Sequence, residues 1–367
     1  MRGGGNCSRD SSPVRAERYG RAVSRWARLL LQRRKPEGVR VFYGHDRVPV
    51  PGDPVAGGSG KFQRLAQRFP NRPTDFSLLY LGSTWLPRDT GPLLALARRR
   101  DVPVVLNQSG VAYPGWAGDE TERINDAFRR PLLAADHVLY QSEFCKRSAD
   151  EFLGQPRGTW EVLPNAVDVD QFTPGEPPNE AVLLLAGDQS QAYRLEVALR
   201  TLAQLPEARL IVTGRVVSDP QPLLRELDVA DRVELVGRYA QRDAPGIYRR
   251  ADLLLHTKVQ DPCPTAVLEA MACGLPIVYA ASGGTVELVG DEAGVGVPHP
   301  LSWERDEPPA PEAFAEGVRA ALAQRDRLGA AARRRAVERF ALGPWLDRHA
   351  ELFSELVAPR ARTSRAR

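Results

Sequence analysis

The 367-residue chain has no run of eighteen apolar residues, so no segment of it can cross a membrane as a helix. Leu29-Leu30-Leu31 is too short for a signal-peptide core and is followed by arginines and a lysine instead of small cleavage-site residues, which makes a cytoplasmic location the expectation. Cysteine is scarce. The four present (Cys7, Cys145, Cys263, Cys273) cannot frame so long a chain with disulfides, and none form the close pairs that tetrahedral zinc requires. The five histidines are equally scattered, so no metal site is expected, and no serine or cysteine nucleophile signature appears. Neither half carries Gly-x-Gly-x-x-Gly after its first strand, which argues against a two-domain dehydrogenase, and no cofactor is expected.

Hydrophobic residues make up 43% and charged residues 26%, ordinary values for a globular protein, while the length exceeds what one core usually fills. Two domains follow. The net charge of +4 is unevenly spread: residues 1–35 carry +8, residues 360–367 carry +4, and the body between them −8. An acidic body speaks against a nucleic-acid partner, whose phosphates need cations on the folded surface. The basic ends suit an anionic membrane. As a helix, Arg15 to Lys35 places Tyr19, Val23, Trp26 and Leu30 along one side and arginines around the rest, an interfacial pattern, unless the apolar side packs on the body instead. Peripheral association with the inner face of the membrane is expected on this ground.

From Gly38 onward, short apolar runs alternate with helical stretches, the pattern of an α/β protein with parallel sheets, and the pattern occurs twice. Strands are predicted at Val39–Tyr43, Phe76–Leu81, Val102–Leu106, His137–Gln141 and Val162–Leu163. A Pro- and Gly-rich stretch, Thr173 to Asn179, has nothing apolar to bury and reads as a linker. A second series follows at Ala181–Ala186, Arg209–Thr213, Val233–Val236, Asp252–His256, Pro276–Ala280 and Val295–Val297. The expected organisation is a basic segment at 1–37, a Rossmann-like domain at 38–172, a linker at 173–180, a second Rossmann-like domain at 181–340, a helix at 341–358 and a basic tail at 359–367. Two doubly wound domains face each other across a cleft, and such folds bind ligands outside the C-terminal ends of their strands.

The richest stretch for chemistry runs from Asp261 to Pro276. A loop carries Asp261, prolines at 262 and 264 precede a helix starting about Thr265, and Gly274 stops it. With Pro264 in the N-cap or N1 neighbourhood, the free N–H groups of the first turn, at Thr265, Ala266 and Val267, are expected to point into the cleft and suit a diphosphate. Glu269 lies one turn further, where a carboxylate can accept hydrogen bonds from two vicinal hydroxyls.

This stretch resembles the Glu-x7-Glu motif and the Glu-Ala-Met-Ala-x-Gly-x-Pro run of glycosyltransferase family 4, the group 1 glycosyl transferases, retaining enzymes of the GT-B fold. The resemblance implies that Glu269 holds the ribose of a nucleotide-sugar donor and that position 261 contacts the transferred sugar; Asp261 stands there in place of the family's Glu, its carboxylate withdrawn by one methylene. Leu163 to Pro174 is similar to the family's Asn-Gly-Val-Asp…Phe-x-Pro segment, with Asp168 and Asp170 read as turn residues at the hinge. Ser282 to Val289 resembles Gly-Gly-x-x-Glu-Leu, which implies that Gly283 and Gly284 let backbone N–H groups approach the donor, and Glu287 reads as structural. Gly187 and Gly237 belong to the same donor side. Where the family carries an Arg and a Lys after the first strand of its C-terminal domain, this chain reads Asp188 to Arg194. The Arg position is lost, Arg194 stands for the Lys, and Lys61, Arg215 and Lys258 are the other candidate phosphate cations.

In the first half, Gly57-Gly58-Ser59-Gly60-Lys61 opens a helix but is not a Walker A loop, because Val55 replaces its first glycine and Phe62 follows the lysine. Gly57, Gly58 and Lys61 are expected at the ligand, unless the loop is a plain turn. Asn107 and Gln108 end a strand where many family members place a histidine; neither amide is a general base, though either can hydrogen-bond a sugar or leaving group. Tyr113 and Trp116 offer a stacking face for an acceptor, or a roof for the core.

The resemblance implies metal-independent, retaining transfer of a hexose-type sugar from a nucleotide-sugar donor to the hydroxyl of a sugar, lipid-linked or small-molecule acceptor, as in cell-envelope, glycolipid or glycosylated-metabolite synthesis. Asp261, Arg194 and Lys61 are the expected catalytic residues. A nucleotide-sugar epimerase or a non-catalytic subunit of the same fold are the alternatives.

Overall fold

The computed structural model describes residues 26, 27, 29, 36–50, 52, 53 and 58–358. The basic ends lie mostly outside these residues, as does Gly57. Of the expected interfacial helix, Trp26, Ala27 and Leu29 are described: Leu29 is fully buried in the core of the first domain, and the Trp26 indole donates to Asp89. At these positions the apolar residues pack on the body.

Among the described residues the strands form two parallel sheets. The first runs in chain order, β1 (Val41–Phe42), β2 (Leu78–Gly82), β3 (Val104–Gln108), β4 (His137–Tyr140) and β5 (Thr159–Val162). The second runs β11 (Gly294–Pro298), β10 (Ile277–Ala281), β9 (Leu253–His256), β6 (Ala181–Leu185), β7 (Ala208–Thr213) and β8 (Val233–Gly237). The central strands read as continuous Val and Leu runs because helices cover both faces of each sheet. β1 is shorter than its apolar run, and β5 begins at Thr159, ahead of the Val162–Leu163 expected. β3 continues through Gln108, two residues past its expected end.

On one face of the first sheet lies α1 (Ser59–Arg68); on the other lie α2 (Thr90–Arg99), α3 (Thr121–Ala134) and α4 (Glu143–Phe152). The face beside α1 is completed from far along the chain. After the second sheet and its helices α5 (Ala192–Ala203), α6 (Gln221–Glu226), α7 (Ala244–Tyr248), α8 (Thr265–Ala272), α9 (Thr285–Val289) and α10 (Pro311–Leu322), the chain forms α11 (Arg325–Phe340), turns at Ala341, and returns as α12 (Leu342–Val357). Trp345, Leu352 and Phe353 of α12 pack with Val41, Tyr43, Phe62 and Tyr80 of the first domain. The turn is pinned where Val167 donates to Phe340 O and accepts from Leu342 N.

The Arg-rich stretch before α12 is more than a solvated surface. Arg333 donates to the carbonyls of Ala272, Phe172 and Val169, and Arg335 to those of Glu287 and Leu288. Both satisfy carbonyls at helix C-terminal ends, where a cation also meets the negative pole of the helix dipole.

Candidate functional site

The order of the second sheet reverses at β6, whose neighbours are β7 on one side and β9 on the other. Chains leaving β6 and β9 therefore diverge to opposite faces, opening a crevice beyond their C-terminal ends. Gly187 follows β6 there and Asp261 follows β9, so residues distant in sequence meet. The first sheet faces this crevice with the loops after β2, β3 and β4, and the cleft between the domains encloses about 770 Å3.

Glu269 lines the cleft yet is only 5% exposed. Its oxygens accept from Gln241 Nε2 at 2.8 Å and Tyr248 Oη at 2.9 Å, with Arg64 of the first domain at 3.4 Å. Burial raises its pKa, and Arg64, Gln241 and Tyr248 only partly offset that. Asp261 behaves oppositely. Burial pushes it up, but Lys258 at 3.1 Å, His256 and Arg194 outweigh burial and hold it below the usual carboxylate range. His256 Nε2 sits 3.6 Å from Asp261 Oδ2, and burial pushes the imidazole down to about 3, so at neutral pH it is a neutral ring beside a charged carboxylate.

The first turn of α8 lies between these two acids in the chain, and Pro264, Thr265 and Ala266 all line the cleft. Pro264 has extended geometry as the N-cap and its carbonyl takes the Val267 N–H at 3.1 Å, so the N–H groups of Thr265 and Ala266 are the ones left without an intrahelical acceptor. Four buried polar atoms of cleft residues lack protein partners: His256 Nε2, Arg194 Nε, Gln191 Oε1 and Gln260 Oε1. Buried polar atoms are nearly always paired, so a convergent group of unpaired ones marks a place built for a polar ligand.

Of the expected cations, Arg194, Lys61 and Lys258 face the cleft. Arg194 is 6% exposed and spends its two terminal nitrogens on the carbonyls of Asp188 and Ala186. Arg215 is not among the residues that line the cleft: it is exposed, and its backbone N–H holds Asp188 Oδ1 at 2.7 Å. Arg238, just past β8, lines the cleft instead and pairs with Asp188 Oδ2 at 3.1 Å. Nothing in the local sequence near the expected Arg position signalled it, because Arg238 arrives from a neighbouring strand.

Gly283, Gly284 and Gly237 also depart from expectation, for none lines the cleft. Gly283 has φ +72, and a Cβ there would meet the Gln260 backbone at 2.7 Å. At Gly284 it would meet Pro262 O at 1.9 Å, and the Gly284 N–H is spent on Asp261 O. These glycines let the segment lie against the 260–262 loop, so they shape the loop that carries Asp261. Gly237 accepts from the N–H of Gly214, which does line the cleft and packs so closely on Gly187 that a Cβ would lie 2.4 Å from its carbonyl carbon. Gly187 itself does reach the cleft, with φ +86.

On the first-domain side, Gly58 lines the cleft and packs against Thr84, whose Oγ1 would lie 2.2 Å from an added Cβ. Lys61 is 6% exposed and donates to Asn107 Oδ1 at 2.6 Å and Ser109 Oγ at 2.9 Å. Burial pulls its pKa down to about 8. Asn107 and Gln108 are behind the wall instead of on it, 1% and 0% exposed, because β3 extends through both; Ser109 and Gln141 are the polar groups that emerge.

Tyr113 and Trp116 both line the cleft, and Trp116 is 49% exposed. The loop between β11 and α10 crosses to them. Its Trp303 stacks on Phe144 at 5.6 Å and meets Tyr113 at 5.4 Å and Phe152 at 5.3 Å, while Gly115 N–H donates to Trp303 O. Asp306 accepts from Tyr113 Oη and Gln191 Nε2. Glu287 bridges the domains too, accepting from the N–H groups of Glu143 and Phe144 at 2.7 Å each. It caps α4 from the other domain, a structural role as expected. At the hinge, Asp168 Oδ1 accepts from Asp170 N and Gln171 N, the turn geometry read from the sequence.

Residues 167–336 match the family model described as glycosyl transferases group 1. The D-inositol 3-phosphate glycosyltransferase of Geodermatophilus obscurus is 32% identical over 283 residues, covering 69% of this chain and 59% of that protein. That of Mycolicibacterium smegmatis is 27% identical over 174 residues, 43% of this chain and 40% of the relative. The chain thus spans less than two thirds of the length of these relatives. Among solved structures, Anabaena HepE in complex with UDP superposes with a TM-score of 0.65 at 16% identity, covering 86% of this chain and 100% of that one. Sucrose-phosphate synthase from Thermosynechococcus elongatus gives 0.64 at 20% identity, covering 81% and 76%. The fold is GT-B.

Proposed function

We propose that the protein is a retaining, metal-independent glycosyltransferase that moves a hexose-type sugar from a nucleoside-diphosphate sugar to an acceptor hydroxyl. The observation that carries this reading is the placement of Glu269 and Asp261 at the β6/β9 crevice, with the open first turn of α8 between them in the chain. A carboxylate has about four lone-pair sites. Gln241 and Tyr248 use two on Glu269, which leaves capacity for a ribose diol, and the longer Arg64 contact is the one most easily given up.

The diphosphate then lies at the α8 N-terminus, where N–H groups and helix dipole favour an anion. Arg194, Arg238, Lys258 and Lys61 surround it, and positive charge there acts on the charge that develops on the leaving group. Their presence in the cleft favours an enzyme over a non-catalytic subunit that has lost its phosphate cation. Asp261, held ionised, orients the sugar through its hydroxyls. In a front-face substitution the acceptor oxygen bonds to the anomeric carbon as the phosphate oxygen departs from the same face, and the acceptor proton passes to that phosphate oxygen. No side-chain base is required. The UDP ligands of HepE and the inositol-phosphate acceptor in the curated relatives' names make UDP-sugars and phosphorylated polyols the first donor and acceptor to try.

Incubating purified protein with UDP-, GDP- and ADP-sugars should give transfer or slow donor hydrolysis, and Glu269→Ala should lower kcat/KM at least about 100-fold, the scale of two lost charge-assisted hydrogen bonds. An unchanged kcat/KM and nucleotide affinity in Glu269→Ala would overturn the assignment.

A further inference from the structure

Gln260, the residue before Asp261, has its backbone in the left-handed region at φ 52°. The other two described non-glycine residues there, Asp101 and Asp228, follow helices α2 and α6, and aspartate enters that region readily. Gln260 ends no helix. Its conformation is imposed by the segment after β10: Ser282 Oγ accepts the Gln260 N–H at 3.1 Å, and Gly283 lies so close that a Cβ would meet the Gln260 backbone at 2.7 Å. Strain held in this way gathers at ligand sites. Glycine would make the same turn without steric cost, so what glutamine adds is its side chain. That side chain lines the cleft, the residue is 5% exposed, and Oε1 is buried with no partner.

Gln191, the N-cap of α5, carries a second such atom. Its Nε2 donates to Asp306 Oδ2 at 3.3 Å, and because a carboxylate oxygen accepts, the amide is turned one way and Oε1 is its free end. Asp306 is itself held from the first domain by the Tyr113 hydroxyl at 3.5 Å. Gln191 lines the cleft, and its Oε1 too is buried without a partner. Two hydrogen bonds tie this end of α5 to the loop that carries Gln260: Thr257 Oγ1 donates to Arg194 O at 2.9 Å, and Val259 N to Tyr193 Oη at 3.2 Å. The two amides therefore stand on adjoining segments of one wall, beside Asp261.

We propose that Gln260 and Gln191 are specificity-determining residues whose carbonyl oxygens accept hydrogen bonds from hydroxyls of the transferred sugar. The inference rests on the donor reading of the cleft and names the part of the donor that these residues recognise. Both unpaired atoms can only accept. An ionised phosphate has no hydrogen to give them, and the ribose and diphosphate separate the nucleobase from Asp261. A sugar hydroxyl supplies the missing donor, and a sugar without it leaves a buried oxygen unpaired, which is how such sites discriminate.

The test is calorimetric titration of the full-length protein with UDP, GDP and ADP and with their glucose, galactose and mannose derivatives. Methionine keeps most of the glutamine volume without a carbonyl. Gln260→Met and Gln191→Met should each weaken the nucleotide sugar by about five- to tenfold, the scale of one hydrogen bond, while the bare diphosphate binds as in the wild type. Gln260→Gly should weaken the nucleotide sugar as much without lowering the melting temperature, because glycine relieves the strained turn; a glutamine kept only for the fold would show the reverse. Wild-type affinity for the nucleotide sugar in both methionine variants, or an equal loss for the bare diphosphate, would overturn the proposal and leave the donor reading in place. Absence of binding by every compound to the wild type would remove the donor reading and this proposal with it.

Discussion

The two sheets share an all-parallel architecture but differ in order, and the difference decides what each half can do. The second reverses at β6, so a crevice opens among its own strands and a ligand can be gripped by one domain alone. The first runs from β1 to β5 without reversal. It has no crevice of its own among the described strands and meets the ligand only as a facing wall, through α1 and the loops after β2, β3 and β4. On the proposed function, donor chemistry belongs to the second domain, and the first contributes position and the buried Lys61.

If that division holds, Asp261→Asn should have the largest effect. The substitution keeps the shape but removes the charge that Lys258 and Arg194 hold ionised, and it leaves Lys258 without its partner. Transfer should fall about 100-fold or more in kcat, as when one preorganised electrostatic group is lost, while nucleoside diphosphate still raises the melting temperature as in the wild type. A loss of nucleotide binding equal to the loss of kcat would mean that Asp261 serves the phosphates and not the sugar. Next in size is Arg238→Ala. Arg238 is well exposed and already shared with Asp188, so its removal should cost about tenfold in kcat/KM, with a weaker dependence on salt than the wild type shows. If Arg215→Ala has the larger effect, the assignment of the second-domain cation reverts to the one expected from sequence.

The same division explains what the sequence disclosed. Asp261, the α8 N-terminus and Glu269 lie on one continuous loop and helix, so their spacing carries their geometry. Arg64, Gln241 and Tyr248, which converge on the Glu269 carboxylate, come from three other elements, and no local pattern links them. Asn107 and Gln108 were misplaced for a simpler reason. Polar residues at the end of an apolar run look like the start of a loop, but β3 continues through both and pairs with β4 at each, which moves the cleft edge to Ser109. Gly283 and Gly284 show the converse. The need for glycine was legible, but its cause is the backbone of the 260–262 loop and not a ligand. The return of α12 to the first domain left no signal beyond an amphipathic pattern, because a helix does not encode which sheet it will cover.

The smallest effect expected is at Glu287, which separates the integrity of each domain from their mutual register. Its carboxylate accepts the two free N–H groups at the start of α4, so one domain completes the helix of the other. Loss of such a cap typically costs about 1 kcal/mol. Here the cost falls on the contact between the domains, since Ser142 still caps Cys145 N from within and both cores are untouched. Glu287→Ala should therefore change the melting temperature by only a few degrees. It should raise KM for the acceptor a fewfold, because the first-domain wall is held less firmly over a donor site that remains intact. Donor affinity, measured by nucleotide titration, should not move. If it falls together with acceptor binding, the crevice of the second sheet is not self-sufficient, and the facing wall must be counted part of the donor site.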